Sequence, residues 1–149
     1  MDLRRMILFF LFCLCTMPQT AFSGDFDGIK PLSGSVDKII EIRTFKIING
    51  VDPDAVGLPR NFFIDFKEKK LRPSKDSLVR KTSNIDRVAH IENKLVLQGV
   101  NEGVENVDDG LAWSIIISKK TGKVVLSASG DGVAYVVFGT CIPAENYQK

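Results

Sequence analysis

Two side chains in this sequence could do nucleophilic chemistry together, His90 and Cys141. A thiol becomes an activated nucleophile when an imidazole stands within hydrogen-bond reach of it. His90 is the single histidine, placed mid-strand between Ala89 and Ile91. A zinc site takes three or four nitrogen, sulfur or oxygen ligands, and no such set accompanies His90, so a packed or solvent-facing histidine is the plainer expectation. Cys141 closes the apolar run Val136-Val137-Phe138-Gly139-Thr140-Cys141 and reads as a buried free thiol. An intermolecular disulfide is the alternative fate for an odd cysteine in an exported protein.

Other polar groups lack the spacing that chemistry requires. Asp25-Phe26-Asp27-Gly28 and Asp108-Asp109-Gly110 have the composition of calcium loops. They lack the alternating oxygen ligands and the distant bidentate glutamate, and are predicted to be turns. Ser118, Ser127 and Ser129 lie in no G-x-S-x-G elbow. The sequence therefore points to no catalytic constellation, no metal site and no cofactor. A hydrolase using His90 and Cys141 is the enzymatic alternative.

Charge is unevenly spread. Lys67, Lys69, Lys70, Arg72, Lys75, Arg80 and Lys81 face only Glu68 and Asp76 in their stretch, whereas Glu102, Glu105, Asp108 and Asp109 make residues 101–110 acidic. Lys69, Lys70, Arg72 and Lys75 are the candidate ligand-binding residues, for a lipid headgroup, a glycan or an acidic protein. A solvated loop that shields strand edges is the competing reading.

The first 23 residues set the setting for all of this. Met1-Asp2-Leu3-Arg4-Arg5 is a basic start, Met6 to Cys15 carries no charge, and Ala21-Phe22-Ser23 places small residues two apart before Gly24. That is the arrangement of a secretory signal peptide, with cleavage predicted between Ser23 and Gly24. The apolar block is shorter than the roughly 20 residues of a membrane-spanning helix, so no transmembrane helix is expected in the mature chain. An uncleaved N-terminal anchor is the alternative. Removing Arg4, Arg5 and Asp2 from 20 basic and 18 acidic residues leaves 18 and 17, a near-neutral domain without the field that attracts nucleic acid. Cys13 and Cys15 leave with the leader, so no disulfide forms within the mature chain and the core alone must hold it. The destination is periplasmic or secreted.

The elements that must position these groups read as β-strands. Residues 24–37, with three glycines and Pro31, look like a flexible leader. Lys38 to Ile48 is rich in β-branched residues and ends at Asn49-Gly50, which predicts a strand, with a helix as the competitor. Asn61 to Lys67 alternates as a strand, Lys67 to Ser77 reads as a solvated excursion, and Leu78 to Thr82 as a short edge strand. Asp86–Ile91 and Lys94–Gly99 form a pair joined at Glu92-Asn93, with Val88, Leu95 and Leu97 facing inward. Leu111–Ile117, Lys123–Ser129 and Val133–Cys141 make a meander through turns at Gly122 and Gly130-Asp131-Gly132. Ile115–Ile117 and Tyr135–Phe138 are apolar on both faces, which implies cover on both sides.

The expectation is an all-β fold: an antiparallel meander of six to eight strands forming a small barrel, strongly curved sheet or sandwich over residues 38–142, with a tail at 143–149. An all-β exported domain without catalytic spacing is predicted to be a binding module. Its target is a partner protein or a small apolar or anionic envelope ligand, with peripheral contact to an anionic membrane as a further option. A structural envelope protein that oligomerises through sheet edges or Cys141 is the remaining alternative. Trp113, Tyr135 and the phenylalanines at 62, 63, 66 and 138 are either core or the lining of a ligand cavity.

Overall fold

A computed structural model describes residues 24–78, 81–102 and 110–144. Residues 1–23, where a signal peptide is expected, Val79 and Arg80, residues 103–109 with most of the acidic run, and the last five residues lie outside that set. The described chain forms ten antiparallel strands: β1 Leu32–Arg43, β2 Lys46–Asn49, β3 Asn61–Asp65, β4 Lys70–Pro73, β5 Ser83–Asn84, β6 Arg87–Ile91, β7 Lys94–Asn101, β8 Leu111–Ser118, β9 Lys123–Gly130 and β10 Val133–Pro143. They stand in the order β5-β4-β3-β1-β10-β9-β8-β7-β6, with β2 folded back on β1. The fold is all-β, as the residue pattern predicts.

This sheet curls until its two ends meet. β5 and β6 are consecutive parts of one chain stretch. Ile85 N–H donates to Lys69 O at 2.8 Å on one side, and Asp86 N–H donates to Gln98 O at 2.9 Å on the other. Ile85 between them is buried. Antiparallel pairing puts alternate residues on one face, and here that face is concave. In-register rows such as Ile115–Leu126–Val137–Ile39 and Leu95–Ile117–Val124–Gly139 run across the concave side. Leu95, Leu97, Ile115 and Ile117 are fully buried there.

Curvature is introduced where β1 carries a bulge. Val36 pairs with Gly139 and Lys38 with Phe138, which leaves Asp37 as the extra residue. Gly139 has no side chain because the strand opposite allows none: a Cβ there would lie 2.2 Å from Ser35 O. Gly34 and Gly99 play a related part on the concave face, where the rings of Phe62 and Trp113, their cross-strand partners, lie directly over them.

One end of the curl is capped by the residues before β1. Phe26 packs against the core and its ring abuts Gly122, while Gly28 lies against Leu95 and His90. Asp25-Phe26-Asp27-Gly28 is a turn, as expected: Asp27 N–H donates to Gly24 O, and Asp27 Oδ1 accepts from Ile29 N–H at 2.9 Å.

Several boundaries differ from the sequence expectation, each for a local reason. β1 starts at Leu32, inside the expected leader, because Leu32, Gly34 and Val36 already alternate inward and pair with β10. β4 lies within the stretch expected to be a solvated excursion. Only Leu71 and Pro73 face inward there, too few to show against five cations. Of the segment expected as an edge strand at 78–82, Val79 and Arg80 lie outside the described residues, Leu78, Lys81 and Thr82 are not in a strand, and β5 follows at Ser83–Asn84. The expected cover on the outer face is not seen among the described residues: Ile116, Val125 and Phe138, cross-strand neighbours in one row, are each partly exposed. Gly122 and Gly132 take the left-handed conformation the turns require, and Glu92 does so at the β6–β7 turn.

Candidate functional site

The concave side encloses a cavity of about 140 Å³. Its walls come from Val36 of β1, Phe62 of β3, Leu71 of β4, Leu111 and Trp113 of β8, Val124, Leu126 and Ala128 of β9, and Val137 and Gly139 of β10. The reason for a void is visible in two small residues. Ala128 stands in register between Trp113 and Tyr135, and Gly139 stands beside Val124. The larger side chains on the adjacent strands stand above these small residues, which leave space between them. The cavity reaches the surface near Gly57, Leu58, Pro59 and Lys81, with Ser83 and Asn101 also contributing to its wall. The Gly57 end follows a 3-10 turn, Pro53–Val56, that Asp52 caps by accepting from Asp54 N–H.

Among the described residues no carboxylate lines this cavity, and its charged wall residues are Arg72 and Lys81. Arg72 stands opposite Phe63 in the β3–β4 register, and its guanidinium lies 3.8 Å from Asp65. That places its charged head on the outer face, away from the concave side. Trp113 Nε1 is buried and has no hydrogen-bond partner among the described residues. Its ring edge is seated against Gly99, so the indole acts here as wall and not as an exposed donor.

A second hollow of about 320 Å³ lies at the β1 bulge, beside Asp37, Lys38, Asp52 and Arg60. It is larger, but its polar rim is already engaged: Arg60 bonds Asp52 at 2.7 Å and Asp54 at 3.1 Å. The smaller, apolar, interior cavity is the better ligand site.

The residues singled out from the sequence are scattered. Lys69 is exposed in the β3–β4 turn with a positive φ, Lys70 and Arg72 are half-buried on β4 near Asp65, and Lys75 is exposed beyond the strand. Of these four, Arg72 alone touches the cavity wall. His90 is exposed on β6, while Cys141 is 1 % exposed on the concave face of β10, with β7, β8 and β9 standing between those strands in the sheet. Burial pushes the Cys141 thiol up to about 12. Among the described residues no group of histidine, cysteine and carboxylate side chains could hold a metal ion.

Cys141 supplies a direct check. A thiol buried in its neutral form is expected to resist a disulfide reagent in the folded protein and react on unfolding. Because its pKa is raised from 9.0 to about 12 on folding, the unfolded chain loses this proton first. The associated stability is present below pH 9 and is lost as pH rises from 9 toward 12. Urea unfolding at pH 7 and pH 10.5 should show that loss in the parent, with a smaller loss in Cys141→Ala. Rapid labelling of the folded parent at pH 8 would contradict the burial.

One polar group escaped the sequence reading. Glu41 is 5 % exposed, on the concave side of β1, beside Tyr135 in register. Arg43 Nε donates to Glu41 Oε1, which meets the cost of burying a carboxylate. Burial, and then the field of Glu41, raises the Tyr135 phenol above its ordinary value, against an opposing effect from Arg43. The signal was present in the period-two pattern Ile39-x-Glu41, which assigns Glu41 inward.

The chain matches no protein-family model, no curated protein and no solved structure. The functional reading therefore rests on the chemistry of the site.

Proposed function

We propose that this protein is an exported, non-enzymatic binding domain that takes a small apolar ligand into the concave interior of its sheet. The observation that supports it is the cavity bounded by Trp113, Leu126, Ala128 and Val137, of about 140 Å³. An apolar cavity of about 150 Å³ elsewhere stays dry and binds benzene, so the size suits a single ring or a chain of about six carbons. Export follows from the leader ending at Ser23. The distance in the sheet between β6 and β10 argues against His90 acting on Cys141.

The test is titration of the protein with benzene and hexan-1-ol, followed by methyl NMR and thermal unfolding. Saturable shifts at Leu126 and Val137 are expected. Stability should rise by about 2.7 kcal/mol when ligand reaches a hundred times its dissociation constant. If neither probe shifts those methyls or the unfolding midpoint at saturation of the solvent, the interior is not a ligand site.

A further inference from the structure

Beyond the cavity, the most exposed large apolar side chain sits at the tip of the β1–β2 hairpin. Phe45, in the turn, is 98 % exposed, and Ile47 is 66 % exposed. Ile47 pairs across the hairpin with Ile42, which is also exposed, so the two share one face. The other face carries Arg43 directly opposite Lys46. Like charges in direct cross-strand register oppose each other. Glu41 takes the Arg43 Nε, yet most of the Arg43 side chain remains exposed. The hairpin is thus an amphipathic projection with an aromatic point, an aliphatic face and a cationic face.

We propose that this tip docks on an anionic lipid surface, with Phe45 and Ile47 entering the headgroup–acyl boundary and Arg43 and Lys46 meeting lipid phosphates. Charge selects this occupant over a second copy of the chain. Two copies meeting through equivalent tips would bring four cations together. A convex point of three apolar side chains offers too little area for a specific protein interface, which buries on the order of 1,000 Å² or more. A bilayer needs no shape complementarity, receives aromatic side chains at its interface, and attracts cations near its surface by roughly fivefold each. This site is separate from the cavity, and either can fail without the other. It is also separate from Lys69 in the β3–β4 turn and from Lys70 and Arg72 on β4.

The experiment uses the full chain, so that any contribution of the N-terminal apolar block is the same in every variant. F45W is mixed with vesicles of phosphatidylcholine alone or enriched in phosphatidylglycerol, with Trp113 as a buried background. On the anionic vesicles its emission should shift to the blue and be quenched by lipids brominated along the acyl chain, and added salt should weaken the effect. F45S/I47S should lower vesicle partition by about tenfold or more while leaving the unfolding midpoint unchanged. K46E should remove the preference for anionic over zwitterionic vesicles, whereas K69E/K70E/R72E should leave it intact. An F45W emission that stays water-like on every vesicle overturns the proposal, as does partition that F45S/I47S does not reduce. Equal binding to zwitterionic vesicles removes the role of charge. A blue shift that grows with protein concentration in the absence of lipid would assign the tip to a second copy, and one produced by polyglutamate alone would assign it to an acidic protein.

Discussion

Gly139→Ala should lower the thermal midpoint by about 10 °C or more. The added Cβ would lie 2.2 Å from Ser35 O, a backbone atom in a strand that cannot move freely. Val36 N–H is held by Arg60 O at 2.8 Å, and β1 is paired with β10 on both sides of the bulge. Relief must come from shifting a strand instead of rotating a side chain. Overpacking of this kind costs about 3 kcal/mol, and each kcal/mol moves the midpoint of a domain this size by about 4 °C. Gly132→Ala is the comparison. Gly132 has a φ of 68° but open space around it, so it carries only the left-handed penalty of about 1–2 kcal/mol. Differential scanning calorimetry of the two variants separates steric from conformational cost. A Gly139→Ala midpoint no lower than that of Gly132→Ala would mean that the β1 bulge yields.

Ala128→Leu should do the opposite to stability and abolish ligand uptake. The new side chain adds three carbons from β9 into the cavity between Trp113 and Tyr135. Filling apolar space recovers burial at about 0.8 kcal/mol per carbon, less any strain against the two rings. The unfolding midpoint should hold or rise, while affinity for benzene or hexan-1-ol falls by about a hundredfold or more because the volume is gone. Calorimetric titration of parent and variant reads both effects on one sample. Retained affinity with unchanged stability would place the bound probe elsewhere; a large loss of stability would show that Trp113 and Tyr135 already fill the space.

Much of the fold was legible because the strands carry their own signals. From Leu111 to Cys141, β-branched residues alternate between turns whose glycines must adopt positive φ, and β8, β9 and β10 appear where that pattern places them. The misses have a common physical origin. Gly34 and Gly99 look like interruptions in a strand, yet each is the floor on which an aromatic ring from the neighbouring strand rests. β4 holds its place through Leu71 and Pro73 amid cations, so its polarity masked its pairing. The candidate site was harder to read because a cavity is what side chains fail to fill. Its aromatic lining was visible as alternating positions, but the void depends on Ala128 and Gly139 meeting large partners from other strands, and registers between strands are not written in local sequence. The four cations chosen from the sequence were conspicuous as charge, whereas the hairpin at Phe45 became conspicuous only when its exposure was known.

The neighbourhood of β1 and β10 has a consequence of its own. These are the first and last strands of the described chain, they share the longest register in the sheet, and beside them Ala144 N–H donates to Pro31 O at 2.9 Å. The two ends of the sheet path through β1 and β10 therefore stand side by side, and the β6–β7, β8–β9 and β9–β10 connections are short turns. The order in which the strands are strung is separable from the order in which they stand. A linker joining Ala144 to the segment that carries Phe26 would let the polypeptide be opened at the Lys119–Thr121 turn with each of these pairings still available, so circular permutation at that turn is expected to preserve the sheet.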